Sequence, residues 1–185
     1  MIPFLQEQYP QLDVNLLRDL YYNHVSLGKI SSEQFFGRLG LPNVANEYLD
    51  KCLKIDPGFF DVIKNLKDKY ALVMCSNDVS EWSQFLKIKF KFDKYFAHYF
   101  ISGDVGFRKP DLSIYRFMLE KLRILGDQCI FIDNSLKDLE SAAKIGITTI
   151  HFKRGPLNYT YTPNFTVTNF IELKKILSNQ KAIQS

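Results

Sequence analysis

The chain is poor in the residues that mark a secreted, metal-clustered or membrane-bound protein. Its 185 residues include only three cysteines, three histidines and one tryptophan. Cys52, Cys75 and Cys129 stand singly, without Cys-x-x-Cys spacing, which favours reduced thiols in a cytoplasmic protein. No apolar run approaches the ~20 residues of a membrane-spanning helix, and Met1 to Leu5 is too short and uncharged for a signal peptide. We therefore expect a cytoplasmic protein with no membrane partner.

What the chain does contain is enough apolar material for one substantial core. Apolar residues make up 46% of it, and 24 basic against 20 acidic residues give a net charge of +4. A small, scattered positive charge favours solubility rather than nucleic-acid binding. The stretch from Lys89 to Phe96 interleaves lysines with aromatic residues, but we interpret it as an amphipathic face over a sheet. We expect no nucleic-acid partner.

The first third of the chain has the apolar spacing of helices alone. One stripe at helical spacing consists of Val14, Leu17, Leu20, Tyr21, His24 and Val25. Gly28 is expected to end this helix, and Ser31 with Gln34 three residues later predicts a capping box at the start of the next. Asp56-Pro57-Gly58 interrupts the pattern. These signals predict a helical cap region at 1–56 and an α/β core at 57–185.

After residue 57 the chain alternates between helical patterns and short apolar runs. The runs have strand length and cover residues 71–75, 99–101, 129–132 and 148–152, with helical patterns between them. Uninterrupted apolar strands are typical of a parallel sheet covered on both faces. Asn169 and Glu172 predict a cap for a final helix. The fold class predicted is α/β, a doubly wound parallel sheet.

Polar residues follow three of these runs, at the sheet edge where open parallel sheets bind ligands. Ser76 and Asn77 come after the first run, where a hydroxyl and backbone N–H groups form a small anion cradle. Lys109 precedes Pro110, which is favoured as the first residue of a helix, so its ammonium is expected near a helix start. A fixed cation there neutralises a phosphate or a developing charge.

Acidic residues follow the third run. Asp133 ends the strand and Asp138 lies in the first turn of the next helix, where hard oxygen ligands suit Mg²⁺. Taken singly, each of these polar clusters is more often a helix cap or a turn. Their occurrence at successive strand ends favours a joint functional site.

At these residues the chain resembles a known family. Ser76-Asn77, the run from Ser102 to Asp111, and Phe131 to Ser135 with Asp138, Ala142, Ala143 and Gly146 look like motifs II, III and IV of the haloacid dehalogenase-like (HAD) hydrolase superfamily. The likeness spans about residues 57 to 153. The helical region before it resembles the small cap that one subfamily inserts after its first motif. The resemblance implies a HAD-like Rossmannoid fold with a helical cap.

The resemblance also implies a chemistry. In the family an Asp attacks a phosphate ester, and water hydrolyses the resulting aspartyl-phosphate in the presence of Mg²⁺. The resemblance implies that Ser76 and Lys109 have catalytic roles and hold the phosphate, and that Asn77 also binds it. The positions of Asp133, Asn134 and Asp138 would bind or orient the metal. The partner expected is a small phosphorylated metabolite or inorganic phosphate.

Two departures from the family's pattern limit this expectation. The family's first motif is an apolar strand ending in Asp-x-Asp, and this chain has no Asp-x-Asp anywhere. That strand lies at the centre of the family's sheet, so we expect the central first strand to be missing and the stability to be marginal. Asn134 stands where a carboxylate usually binds the metal, and a neutral amide oxygen should lower metal affinity.

Three hypotheses follow from these departures. The chain is truncated, and the full-length form is a Mg²⁺-dependent phosphatase acting on a small phosphate ester. Alternatively it is a catalytically inactive HAD-like protein with a binding or regulatory role. A third hypothesis is a haloacid dehalogenase, which needs no metal and would tolerate Asn134 but still requires the absent Asp.

Overall fold

The strands form two parallel sheets in the computed structural model, which describes residues 1–156 and 159–179. The first sheet pairs β1 (Val73–Ser76) with β2 (His98–Ile101). The second has the order β3 (Ile130–Asp133), β4 (Thr148–Phe152) and β5 (Phe165–Val167). This arrangement of helices and parallel strands confirms the predicted α/β class. Within the described residues no strand precedes β1, and the chain begins with a helix.

The helices lie before, between and after these strands. They are α1 (Ile2–Gln8), α2 (Val14–Asp19), α3 (Ser32–Arg38), α4 (Ala45–Lys51), α5 (Phe59–Leu66), α6 (Ser80–Phe90), α7 (Ser102–Val105), α8 (Leu112–Leu122), α9 (Leu136–Ala143) and α10 (Phe170–Asn179). None of the helices in the described part of the chain is long and apolar enough to span a bilayer.

The chain divides into two compact units that are interleaved in sequence. The first unit consists of residues 1–56 and 73–108, and the second contains residues 57–72 and the described residues from 109 onward. The predicted boundary after Asp56 is therefore one of the points where the chain leaves the first unit. β1, α6 and β2 belong to the same compact unit as the helical region predicted to be the cap.

An aromatic cluster explains why α6 belongs with the N-terminal helices. Trp82 on α6 is stacked with Tyr21 at 6.2 Å between ring centroids and lies edge-on to Phe35 at 6.3 Å. Its indole Nε1 donates a hydrogen bond of 2.8 Å to Ser32 Oγ at the start of α3. Burying an aromatic side chain of this size stabilises a fold by about 1.5–3 kcal/mol. Trp82 is therefore a packing residue of the first unit.

The segment from residue 14 to residue 28 is helical, but it is not one α-helix. After α2 the backbone widens to a π-helical turn at Leu20–His24 and then tightens to a 3₁₀ turn at Val25–Leu27. The N–H of Val25 donates to the carbonyl of Leu20, the i→i+5 bond of a π-helix, and both side chains are buried. Gly28 ends the segment in the left-handed conformation, with φ +68°, as predicted. The predicted capping box of Ser31 and Gln34 is also present.

The second unit packs helices against the β3–β4–β5 sheet. Ile150 and Phe152 on β4 pack with Val62 on α5 and Leu173 on α10 in one apolar cluster. Tyr115 on α8 is fully buried, and its ring meets Phe131 of β3 edge-on at 5.5 Å. Central strands buried in this way explain the continuous apolar runs of the sequence.

Two predicted helix starts have different outcomes. Asn169 Oδ1 accepts a hydrogen bond of 3.0 Å from the N–H of Glu172, so α10 is capped as predicted. The prediction that Pro110 is the first residue of a helix is wrong. Asp111 is the N-cap of α8, and its side chain accepts from the N–H of Ser113 at 2.8 Å. An aspartate that caps in this way fixes the start one residue beyond itself.

Candidate functional site

Ser76 at the end of β1 and Asn77 directly after it precede a turn that is bonded to α7, the helix after β2. Ser76 is the last residue of β1 and is partly buried. Two residues on, the N–H of Asp78 donates to Ser102 Oγ at 3.0 Å, and this hydroxyl donates to the Asp78 carbonyl at 3.2 Å. The N–H of Gly103 also donates to that carbonyl, at 3.1 Å. These bonds fix the backbone that presents the Ser76-Asn77 pair.

Two glycines allow three backbone segments of the first unit to meet beside this loop. A Cβ added at Gly103 would lie 2.7 Å from the nitrogen of Ser80 and 3.0 Å from the carbonyl oxygen of Asp78. A Cβ added at Gly28 would overlap the carbonyl oxygen of Gly103. Gly28 also has positive φ, which strains any other residue. The turn at Gly28 therefore rests directly on the loop after β2.

Asp104 and Arg108, which the sequence placed around Lys109, make contacts within the first unit. The hydroxyl of Ser80 donates a short hydrogen bond to Asp104 Oδ1. Arg108 Nη1 donates to the Tyr22 carbonyl at 3.2 Å, and its guanidinium lies 4.5 Å from the centre of the Tyr22 ring. Both residues thus hold the segment after β2 against neighbouring segments of the first unit.

The second unit brings together three of the predicted site residues. Lys109 Nζ lies 2.5 Å from Asp133 Oδ2 and 3.8 Å from Asp138 Oδ2. The side chains are 9%, 11% and 13% exposed, so the cluster is almost withdrawn from water. Asp133 Oδ1 accepts a hydrogen bond of 2.8 Å from the N–H of Ser135. A buried cation held between two carboxylates is expensive to disrupt, because removing one partner leaves an uncompensated charge.

The residues predicted to hold Mg²⁺ lie in the same unit. Asp133 ends β3, Asp138 is in the first turn of α9, and Asn134 between them is exposed. Across the described residues no group of three or more His, Cys, Asp or Glu side chains assembles as a metal cluster. Mg²⁺ commonly takes one or two protein carboxylates and completes its six ligands with water and phosphate oxygens. Two carboxylates and an amide oxygen fit such a site, although Lys109 competes for Asp133.

Asp78 is a carboxyl group that the sequence did not assign to the site. Burial raises its pKa to about 6, and the hydrogen bond from the N–H of Val79 opposes this shift. The negative charge of Asp104 adds to the increase. The side chain also lines an apolar cavity of the first unit. The sequence did place Asp78 directly after Ser76 and Asn77 and so near the predicted site. Its burial among apolar side chains could not be predicted, because those side chains come from distant segments.

The model of the haloacid dehalogenase-like hydrolases matches residues 4–146. The chain belongs to this family, and the resemblance found in the sequence is confirmed.

Curated relatives of the chain include two kinds of hydrolase. It is 27% identical over 134 residues to the sesquiterpene phosphatase astK of Aspergillus oryzae, covering 67% of this chain and 68% of the relative. It is 24% identical to a glyceraldehyde 3-phosphate phosphatase of Pyrococcus furiosus, over 60% of this chain and about half, 48%, of the relative. It is also 26% identical to the (S)-2-haloacid dehalogenase 4A of Burkholderia cepacia, over 69% of this chain and 57% of that one.

Solved structures share the fold. A predicted HAD-like family hydrolase from Porphyromonas gingivalis superposes with a TM-score of 0.73 at 19% identity, covering 97% of this chain and 90% of that one. A HAD family enzyme from Bacteroides thetaiotaomicron, in complex with magnesium and inorganic phosphate, gives a TM-score of 0.66 at 21% identity over 76% and 78% of the two chains. At these identities the likeness shows the fold alone.

Proposed function

We propose that this chain binds the phosphate group of a small phosphate monoester, and that the full-length protein is a Mg²⁺-dependent phosphatase. The observation that carries the proposal is the buried cluster of Lys109, Asp133 and Asp138, in which Lys109 Nζ lies 2.5 Å from Asp133 Oδ2. A fixed ammonium stabilises the charge of a bound or reacting phosphoryl group. Ser76 and Asn77 keep the role predicted from the sequence, that of phosphate ligands.

The metal's role in the proposal follows from the donor atoms. Asp133, Asn134 and Asp138 would hold Mg²⁺, which when bound supplies positive charge beside a phosphate oxygen. Because Asn134 is neutral and Lys109 already pairs with Asp133, we expect weak metal affinity that improves when phosphate is present. The phosphatases among the relatives and the magnesium–phosphate complex of the B. thetaiotaomicron enzyme support this assignment.

Turnover requires an aspartate nucleophile that these 185 residues do not provide. No Asp-x-Asp occurs in the sequence, so we propose that the chain supplies the phosphate-holding part and that the nucleophile comes from outside it. The purified 185-residue chain should therefore bind phosphate without hydrolysing p-nitrophenyl phosphate. Clear Mg²⁺-dependent hydrolysis by this chain would contradict the proposal.

The test is a calorimetric titration with inorganic phosphate, with and without Mg²⁺. Lys109→Ala should abolish binding, whereas Lys121→Ala, on the exposed face of α8, should leave it unchanged. Ser76→Ala is a second variant that leaves the buried charges in place. It should weaken binding by roughly 10- to 150-fold, because a hydrogen bond to a charged group contributes about 1.5–3 kcal/mol. Unchanged affinity in both site variants would refute the assignment.

A second candidate function has one observation in its favour. Asn134 stands where the family's metal-binding carboxylate is expected, and one relative is a haloacid dehalogenase. Halide release from 2-chloropropionate in the absence of metal, by a form of the protein that includes the nucleophile, would favour this candidate over the phosphatase.

A further inference from the structure

The first unit contains a cavity of about 260 Å³ next to the predicted phosphate ligand Ser76. Its walls are mostly apolar, formed by Leu53, Ile55, Met74, Leu86, Phe90 and Phe92. Its polar lining residues include Ser76, Asp78 and Ser83, and Lys54 lies at its exposed margin. Small-molecule sites commonly combine an apolar wall with a few polar groups in this way.

A strand, a helix and a coil build most of this cavity. Met74 and Ser76 alternate along β1 and therefore project from the same face of the strand. Ser83, Leu86 and Phe90 are spaced by three and four residues on α6, which aligns them on one side of the helix. The coil after α4, at residues 53–55, and Phe92 beyond the end of α6 provide the remaining apolar wall.

The coil wall is held in place by a lysine of α6. Lys89 Nζ donates to the carbonyl oxygens of Leu49 at 2.8 Å and Asp50 at 3.1 Å, and it forms a 2.9 Å ion pair with the Asp50 carboxylate. A cation at the end of a helix satisfies carbonyl groups that have no partner within the helix. The cavity is thus bounded by elements that are tied together within the first unit.

The character of the walls limits what can occupy the cavity. A polar or charged group moved among Leu53, Leu86 and Phe90 would lose hydration without gaining enough hydrogen bonds. A hydrocarbon group there would gain about 25 cal/mol for each Å² of apolar surface removed from water. Ser76, by contrast, offers a hydroxyl that can form a hydrogen bond with an occupant. The occupant that satisfies both conditions is amphiphilic, with a polar head and an apolar body.

We propose that this cavity binds the hydrocarbon part of a phosphate monoester of an apolar alcohol, with the phosphate at Ser76. The inference rests on the proposed function, because it assigns the head group to the proposed phosphate ligand. Leu86, Phe90 and Ile55 are then specificity-determining residues that select the alcohol.

The test is a calorimetric series on the purified chain with inorganic phosphate and methyl, butyl and hexyl phosphate. Each methylene that enters the cavity should raise the affinity roughly fourfold, corresponding to about 0.8 kcal/mol per buried methylene. If inorganic phosphate and the three alkyl phosphates all bind with the same affinity, this inference is overturned and the proposed function is left intact. No binding of any of the four probes would overturn both.

Two tryptophan substitutions on α6 locate the effect. Leu86→Trp fills the cavity and should flatten the dependence on chain length, whereas Ile88→Trp, at a position 67% exposed on the same helix, should retain it. A thermal melt checks that each variant is folded. Ile55→Trp narrows the cavity from the coil and serves if Leu86→Trp does not fold. A chain-length dependence that survives in every folded cavity variant would overturn the inference.

Discussion

Two aspartates at the carboxyl ends of parallel strands have opposite surroundings. Asp133 ends β3 in the second unit, and Asp78 lies just after β1 in the first. Asp133 lies 2.5 Å from Lys109 and accepts a backbone hydrogen bond. Asp78 lines a mainly apolar cavity, where burial raises its pKa. A place after a strand therefore does not determine the chemistry of an aspartate. The side chains brought to it from distant segments decide whether it is compensated by a cation or opposed by desolvation.

The largest effect is expected from removing the cation of the second unit. Lys109→Met leaves the carboxylates of Asp133 and Asp138 without the ammonium between them, which should cost about 3–5 kcal/mol of unfolding free energy. Urea denaturation measures the loss of unfolding free energy. Lys121→Met, on the exposed face of α8, is the matched control. Adding Asp133→Leu should recover part of the loss, because the uncompensated charge is then removed. A loss below about 1 kcal/mol for Lys109→Met would show that the ion pair contributes little.

In the first unit the corresponding constraint is steric rather than ionic. Gly28→Ala should destabilise by about 3 kcal/mol, since it combines a left-handed backbone with overlap of the Gly103 carbonyl. Gly40→Ala is the matched control, because Gly40 has a similar φ of +66° but no atom within 4 Å of an added Cβ. It should cost only the backbone part, about 1–2 kcal/mol. Equal losses in the two variants would mean that the close approach at Gly103 is relieved at little cost.

An effect no larger than that of Gly28→Ala, but one that depends on pH, concerns Asp78. Its folded pKa is raised from 3.8 to about 6 by burial, so the penalty on folding is absent at pH values below 3.8, increases between the two pKa values and stays constant above the folded one. Asp78→Asn should therefore leave stability unchanged near pH 3.5. Above pH 7 it should stabilise the chain by up to about 3 kcal/mol.

Asp111 provides the opposite case for the same measurement. The N–H of Ser113 holds the pKa of this exposed capping carboxyl below its usual value, so its contribution is present at neutral pH and is lost as the pH falls. Asp111→Asn should slightly destabilise the chain at pH 7 and not at pH 3. Urea midpoints measured from about pH 3 to about pH 7.5 compare both variants. A stabilisation by Asp78→Asn that is independent of pH would rule out desolvation as its cause.

Much of the fold could be predicted because strong local patterns determined it. The apolar run at 148–152 is β4, the capping box at Ser31 starts α3, and Gly28 ends its segment. β5 was missed because Phe165–Val167 is too short to show a period. α1 was not predicted from the sequence, although Pro3 lies in its first turn, where proline is well tolerated.

The candidate site could be predicted less completely. The meeting of Lys109 with Asp133 and Asp138 follows from the rule that ligands gather at the carboxyl ends of parallel strands. The cavity does not follow from any such rule, because its walls come from a coil, a strand and a helix far apart in sequence. The raised pKa of Asp78 depends on the same tertiary burial, so no local pattern announces it.

The interleaving of the two units has a consequence for anyone who divides the chain. The polypeptide passes from one unit to the other after residues 56, 72 and 108, so no single cut releases either unit as one continuous fragment. A fragment of residues 1–56 would keep Phe35 and Ser32 but lose Trp82, which contacts both. Expression of the predicted cap by itself should therefore give an incomplete core. A fusion protein or biosensor that needs the first unit alone should therefore link residue 56 directly to residue 73, rather than truncate the chain at residue 56.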